Sequence, residues 1–528
     1  VSIFFLEPDL SPDDVLRALE ETFPLEAQER STEDLVYFDT FDWLLSRAGL
    51  TLAAAPAEDG VRLTLLTGDG QILKARAREV PHFAADLPKG AFREALESAS
   101  HVRRLLPKAR ASWQGELFAV LNEDEKTVVR IFVLEGEASA PSNGRSAPLP
   151  PRIRLLPLKG YEAELNQLRA FLTESFPLRP EGRGEFSVVL RALGQHPQDR
   201  PPPRRLEIRP DMSAADAARE IHLDLLGTML VNREGMIKDW DPEFLHDFRV
   251  ALRRSRSILT QLKGVFPETE VQYYRDEFRW LGGVTGPTRD LDVYLLKIPV
   301  YRESLTEDAR KELEPLVEFL RKKKRVEHRR LVEALRSQRF TSLMGRWQTF
   351  LVTPTPDGEA PPNAWRPIRE VASERIWQAY EKVLKKGKTA GKGASPEALH
   401  RLRIDCKKLR YLLTLFSALY PEEAVKPVIK ELKRLQDHLG DFNDLHVQRD
   451  AIRDSAEEMM ATETGPPPTL LAMGQLMGQL ETRQVMEQDA FRRRFKRFAR
   501  RTRDTAFRDL FGPKPDPAPE PEKGKTSS

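Results

Sequence analysis

A single cysteine, Cys406, is found among the 528 residues. No intrachain disulfide can form, so no disulfide framework holds the fold, and the composition suits a reducing cytoplasm. Long apolar runs are missing too: none approaches the ~20 residues that a membrane span needs. The opening VSIFFLEPDL has apolar residues followed by acids, with neither a basic leader nor a cleavage site, so it reads as a strand rather than a signal peptide. A strong net charge is also lacking, the total being +3. That near-balance hides an asymmetry. Residues 1–200 hold 24 Lys+Arg against 31 Asp+Glu, a net −7, and residues 201–528 hold 60 against 50, a net +10. A basic half beside an acidic half points to an anionic partner for the second.

The length calls for two or three domains. Up to about residue 190 the texture is mixed. VSIFFLE, DLVYFDT and TVVRIFVLEGEA are β-like, and VRLTLLTGDGQILKARA reads as a hairpin turning at Gly-Asp-Gly. SPDDVLRALEETF reads as a helix with Ser11 as N-cap and Pro12 at its first position, and YEAELNQLRAFLTESF returns to helical spacing. This predicts an α+β domain with a mostly antiparallel sheet over 1–193, with 138–151 as an internal loop. The Pro-rich stretch 194–205 is the expected linker. From 206 to 511 the pattern is helical, interrupted by loops at 353–363 and 463–468; the charged, Pro-rich tail 512–528 reads as disordered.

The helical half repeats itself. HDFRVALRRSRSILTQLKGVFP (246–267) aligns without a gap on HRLRIDCKKLRYLLTLFSALYP (400–421), an offset of 154 residues. The same offset carries GPTRDLDV (286–293) onto GDFNDLHV (440–447). Two copies of one helical unit, about 212–345 and 366–508, are therefore expected around an approximate two-fold axis. On the first copy His246, Arg249, Arg253 and Arg256 fall within roughly an 80° arc of a helix, and on the second His400, Arg403, Lys407 and Arg410 do the same. Leu245, Phe248, Leu252 and Leu259 form an apolar stripe beside the first arc, and Leu399, Leu402, Cys406 and Leu413 beside the second. That stripe packs, so the cations lie next to a packing seam. Four of them along ~15 Å of helix repel one another, a cost that makes sense if a polyanion runs between them. A solvated or acid-paired face is the bland alternative, and its recurrence in both copies weighs against it. Arginine suits phosphate through its planar fork, lysine supplies point charge, and histidine adds a donor whose charge rises near neutral pH when phosphate is close. Asp290 and Asp444 would neutralise the stripe in part or hold its arginines. Metal binding at His246–Asp247 is disfavoured because position 401 is Arg and the surroundings are cationic. Nucleic acid is disfavoured because no recognition motif is present.

FLHDFRVALRRSRSIL, ALHRLRIDCKKLRYLL and LKRLQDHLGDFNDLHV closely resemble the signatures of the CHAD domain, the conserved histidine α-helical domain. The resemblance implies two four-helix bundles related by pseudo-two-fold symmetry around a basic cleft. It also implies binding of inorganic polyphosphate and association with polyphosphate granules. By motif position that role falls on His246, Arg249, Arg253, Arg254 and Arg256, and on His400, Arg403, Lys407, Lys408 and Arg410; Arg279 and Lys433, again 154 apart, are weaker candidates. The first domain resembles a degenerate CYTH domain, the triphosphate tunnel fold, most clearly in LVYFDTFDWLLSRAGLTL (35–52) and RIRLLPLKGYEAELNQLRAFL. Its first strand carries only Glu7 where the family's enzymes alternate glutamates with a lysine. AAAP replaces the arginines after GLTL, and RIRLLPL stands where paired glutamates are usual. Two-metal phosphoryl chemistry needs such carboxylates, so this domain is expected to lack catalysis and to serve as a scaffold or a dimerisation surface.

The expectation is a cytoplasmic, non-enzymatic polyphosphate-binding protein, with no cofactor or metal, no membrane contact and a homodimer open. The alternatives are a phosphohydrolase (triphosphatase) acting through the first domain, or an interaction module that organises granules.

Overall fold

The computed structural model describes residues 2–7, 9–180, 184–196, 207–354, 360–390, 395–502 and 505–512. Most of the expected linker, the centre of the 353–363 loop and the tail from 513 lie outside the described residues. The chain divides into two compact units, Val1–Pro203 and Arg204–Ser528.

The first unit is built on one antiparallel sheet. Its strands are β1 (Ser2–Phe5), β2 (Leu25–Ala27), β3 (Ser31–Asp39), β4 (Thr51–Ala57), β5 (Gly60–Leu66), β6 (Ile72–Ala77), β7 (Leu106–Leu121), β8 (Thr127–Ser139), β9 (Ser146–Pro157) and β10 (Arg179–Pro180). They run in the order β10-β1-β9-β8-β7-β3-β4-β5-β6, with β2 on β7. Its helices are α1 (Pro12–Thr22), α2 (Leu44–Arg47), α3 (Ala91–Ser100), α4 (Glu162–Ser175) and α5 (Glu185–Ala192). The hydroxyl of Ser11 accepts from Asp13 N–H and caps α1, and Pro12 starts it where no amide partner is needed. The Gly-Asp-Gly hairpin joins β5 to β6 in register, Leu66 opposite Ile72.

Successive strand residues point to opposite faces. Val129, Ile131, Ile153 and Leu155 enter a core shared with α1 and α4. Phe132, Leu134, Trp113 and Tyr37 enter a different one, closed by Phe186 and Val189 of α5. Arg152 and Arg154, alternating with Ile153 and Leu155, therefore lie on the α5 face. The expected loop 138–151 is mostly strand: β9 begins at Ser146, and Pro148 and Leu149 pair with Glu137 and Gly136 of β8. The prolines misled the reading. β1 pairs only with the later part of β9, Arg152 to Leu155, so the first half is an edge where a missing N–H costs no ladder bond.

The second unit is helical. Its elements are α6 (Ala214–Ile237), α7 (Pro242–Gln261), α8 (Glu268–Ser304), α9 (Glu307–Lys311), α10 (Glu314–Arg336), α11 (Gln338–Val352), α12 (Ile368–Ala390), α13 (Pro396–Leu415), α14 (Glu422–Ala461), α15 (Pro467–Arg501) and α16 (Thr505–Phe511). The starts of α6, α7 and α8 precede those of α12, α13 and α14 by 154 residues each. The start signals recur: Asp241 caps α7 and Ser395 caps α13, each before a proline at the first helical position. Pro267 and Pro421 precede α8 and α14. Within each copy the same neighbours pack, α6 on α7 and α7 on α8, then α12 on α13 and α13 on α14. Between copies, α6 meets α12 and α7 meets α13. A helix touching its own counterpart is what a two-fold relation produces.

Candidate functional site

The expected apolar stripes are core. Leu245, Phe248, Leu252 and Leu259 are buried on α7, as are Leu399, Leu402, Cys406 and Leu413 on α13. Beside these stripes two adjoining cavities of about 310 and 300 Å³ open and share Arg253, the first among α7, α8 and α14 and the second among α7, α8 and α13. His246, Arg249, Arg289 and Lys297 line the first, with Asp290 and Asp444. Arg256, Arg275, Arg279, Lys407 and Lys408 line the second, and among the described residues no carboxylate does. Together they form a groove with cations from both repeats. Arg253 and Lys407, counterparts in the repeat, sit where the copies meet.

Several of these cations are held in place. The Nη1 of Arg249 donates to the Gly282 carbonyl at 3.0 Å and to Thr285 Oγ1 at 2.9 Å. Burial pulls its guanidinium below the usual range, with Asp290 opposing and Arg253, Arg289 and Arg256 reinforcing. Arg256 is lowered by burial and by Arg279 and Arg275. Asp290 is raised by burial against the pull of Arg249 and Arg289. Arg403 pairs with Asp444 at 3.3 Å. Lys407 is the most displaced of the groove cations: burial, then Arg403 and Arg253, push its ammonium down to about 8, with Asp444 opposing. Desolvated cations crowded together favour binding of negative charge, which relieves both costs.

The two histidines differ. Arg289 Nη2 lies 3.0 Å from His246 Nδ1. A guanidinium can only donate, so Nδ1 is the acceptor in this contact. Asn443, the counterpart of Arg289, meets His400 Nδ1 through Oδ1 at 2.5 Å.

Of the residues named from sequence, His246, Arg249, Arg253, Arg256, Arg279, Lys407 and Lys408 line the groove. Arg403 and Arg410 flank Lys407 and act on it electrostatically. Arg254, His400 and Lys433 are exposed and line neither cavity. Arg275, Arg289 and Lys297 are cavity-lining cations that the sequence reading missed. Their counterparts are Ile429, Asn443 and Ala451, so a filter requiring charge in both copies discards them. The spacing of Arg275 one turn before Arg279 was the available signal. Among the described residues no group of three or more His, Cys, Asp or Glu side chains could hold a metal ion, and no helix is long and apolar enough to cross a membrane.

In the first unit the α5 face holds a charged cluster. Arg152, 1% exposed, pairs with both Glu33 and Glu185 and stacks over Trp113 at 4.0 Å. Arg154 pairs with Glu33 at 2.8 Å. Burial raises Glu185 despite Arg152. Each carboxylate is thus occupied by a guanidinium.

The CHAD domain family profile matches residues 220–453, which include both copies of the basic helix. Two uncharacterized proteins of Mycobacterium tuberculosis, from strains CDC 1551 and H37Rv, are each 29% identical over 220 residues, 40% of this chain and 40% of theirs. The chain thus spans about 40% of the length of the curated relatives it matches. Among solved structures, the CHAD domain from the plant Ricinus communis is similar at 25% identity and a TM-score of 0.46, covering 55% of this chain and 93% of that one. PptA from Streptomyces chartreusis is similar at 17% identity and a TM-score of 0.41, covering 54% and 99%.

Proposed function

Residues 220–453 are a CHAD domain, and on that premise we propose that this chain binds inorganic polyphosphate in the α7–α13 groove. The observation that carries the reading is the meeting of Arg253 and Lys407, with Arg256, Arg275, Arg279 and Lys408, in one cavity that no carboxylate lines among the described residues. A linear polyanion spans both cavities and contacts cations of both repeats, so affinity falls steeply with salt, as it does wherever several cations release counterions. Association with polyphosphate granules and a cytoplasmic site of action follow from that partner. The role is non-enzymatic: Glu33 and Glu185 in the first unit are engaged by Arg152 and Arg154 and are not free to hold a catalytic metal.

The test is titration of the full chain with long-chain polyphosphate, by filter binding or calorimetry. Tight, salt-sensitive binding is expected. Reversal of Arg249, Arg253, Arg403 and Lys407 to Glu should abolish it; intact binding in that variant would overturn the assignment. Release of phosphate from tripolyphosphate with Mg²⁺ or Mn²⁺, lost on Glu33→Gln or Glu185→Gln, would favour a phosphohydrolase instead.

A further inference from the structure

Lys407 stands apart among the groove lysines. It lies at the contact of α7 with α13, half-buried, on the wall of the carboxylate-free cavity. Arg253 and Arg256 face that cavity from α7, Arg275 and Arg279 from α8, and Lys408 from α13 itself. Arg403 and Arg410, about one turn before and after on α13, and Asp444 on α14 also act on it. Asp444 is already engaged by Arg403. The cavity, about 300 Å³, admits a molecule of several heavy atoms and sets the Lys407 amine among guanidinium groups.

We propose that Lys407 is an acylation site, an amine that accepts acyl groups from small acyl phosphates held by the surrounding arginines. The phosphate of such a reagent docks on Arg253 and Arg256, which line the same cavity, and this places the adjoining carbonyl carbon beside Nζ. The neutral amine attacks that carbon, the carbon–oxygen bond to phosphate breaks, and an amide forms. The proton lost by nitrogen leaves on the departing phosphate as hydrogen phosphate, so no further reactant is needed. The reaction requires an unprotonated amine. With the ammonium pushed down to about 8, roughly a quarter of it is neutral at pH 7.5, against roughly 0.1% of a lysine at its ordinary value. Acylation removes one positive charge where the repeats meet and adds bulk to the groove. It would therefore weaken the grip on a polyanion, a consequence that rests on the polyphosphate reading; the acylation itself does not.

The full chain is incubated with acetyl phosphate at pH 7.5, and site-specific acetylation is followed by peptide mass spectrometry. Exposed Lys311 on α9 serves as the internal reference. Lys407 is expected to react at least tenfold faster than Lys311. The ratio should shrink toward pH 10, and it should be smaller with acetic anhydride, which has no phosphate to dock. Arg403→Ala, checked for folding by circular dichroism, should slow Lys407 several-fold and leave Lys311 unchanged. Equal rates at the two lysines, or the same advantage with the anhydride, would overturn the proposal. Excess long-chain polyphosphate should protect Lys407 and leave Lys311 unprotected. Fast acetylation without such protection would support the acyl-acceptor assignment and count against polyphosphate in this groove.

Discussion

The sharpest test of the groove is the pair Arg253→Ala and Lys407→Ala. These side chains occupy equivalent positions of the two repeats and meet in one cavity. A hydrogen bond to a charged group contributes about 1.5–3 kcal/mol. Loss of Arg253 should therefore weaken polyphosphate binding by about 10- to 100-fold. Lys407→Ala should cost less near pH 8, because its ammonium, pushed down to about 8, is partly neutral there. The double variant should exceed the sum. Arg253 is among the groups that depress Lys407, so its removal restores charge to the lysine and part of the attraction; a coupling of about 0.5–1 kcal/mol is expected for such neighbours. The slope of log K against log salt should lose about 0.7 for each phosphate contact removed from a flexible single chain. Calorimetric titration of the full chain at two salt concentrations reads all of these values. Arg254→Ala is the control: Arg254 lies between groove residues in sequence but lines neither cavity, and its loss should change affinity about twofold or less. A double variant with unchanged affinity and unchanged slope, still helical by circular dichroism, refutes the reasoning, as does an Arg254→Ala variant as weak as Arg253→Ala.

Binding should depend on pH through Lys407. A bound polyanion raises the lysine above its free value of about 8, so affinity is full below that pH and falls as pH rises through it. Lys407→Arg should flatten the profile between pH 7 and 9, and a slope that persists would assign it elsewhere. In the first unit, Arg152→Met leaves Glu33 and Glu185 without their shared, 1% exposed guanidinium and should cost about 3–5 kcal/mol in urea denaturation; a loss under 1 kcal/mol would contradict that pairing. Two glycines should respond with opposite sign. A Cβ at Gly387 would lie 1.9 Å from Phe495 Cε2, whereas one at Gly227 meets nothing within 4 Å. Gly387→Ala should lower Tm through overpacking of about 1–3 kcal/mol, and Gly227→Ala should raise it by the helix preference of about 1 kcal/mol.

Much of this architecture could be read without coordinates, because it depends on local or repeated signals. The 154-residue offset reappears in the starts of α6 and α12, α7 and α13, and α8 and α14. Ser11 and Pro12 opened α1 as their chemistry requires. The apolar positions of the two basic helices proved buried because a 3.6-residue period identifies one face of a helix whatever it packs against. The sheet was legible in outline, but β9 was not: whether a proline is tolerated depends on having no neighbour on one side, which is a property of the sheet and not of the strand.

The repeat, the helical character of the basic half and the placing of cations beside a packing seam each follow from composition and period along one chain. Which of those cations share a groove depends instead on how the helices pack. Periodicity gives the angle of a side chain about its own helix axis, but not the crossing of that helix with another. The crossing of α7 and α13 brings Arg253 to Lys407, the packing of α8 on α7 adds Arg275, Arg289 and Lys297, and Arg254 is left in solvent. The same crossing removes water from Lys407 and surrounds it with arginines, which sets the charge that no reading of a single helix could assign.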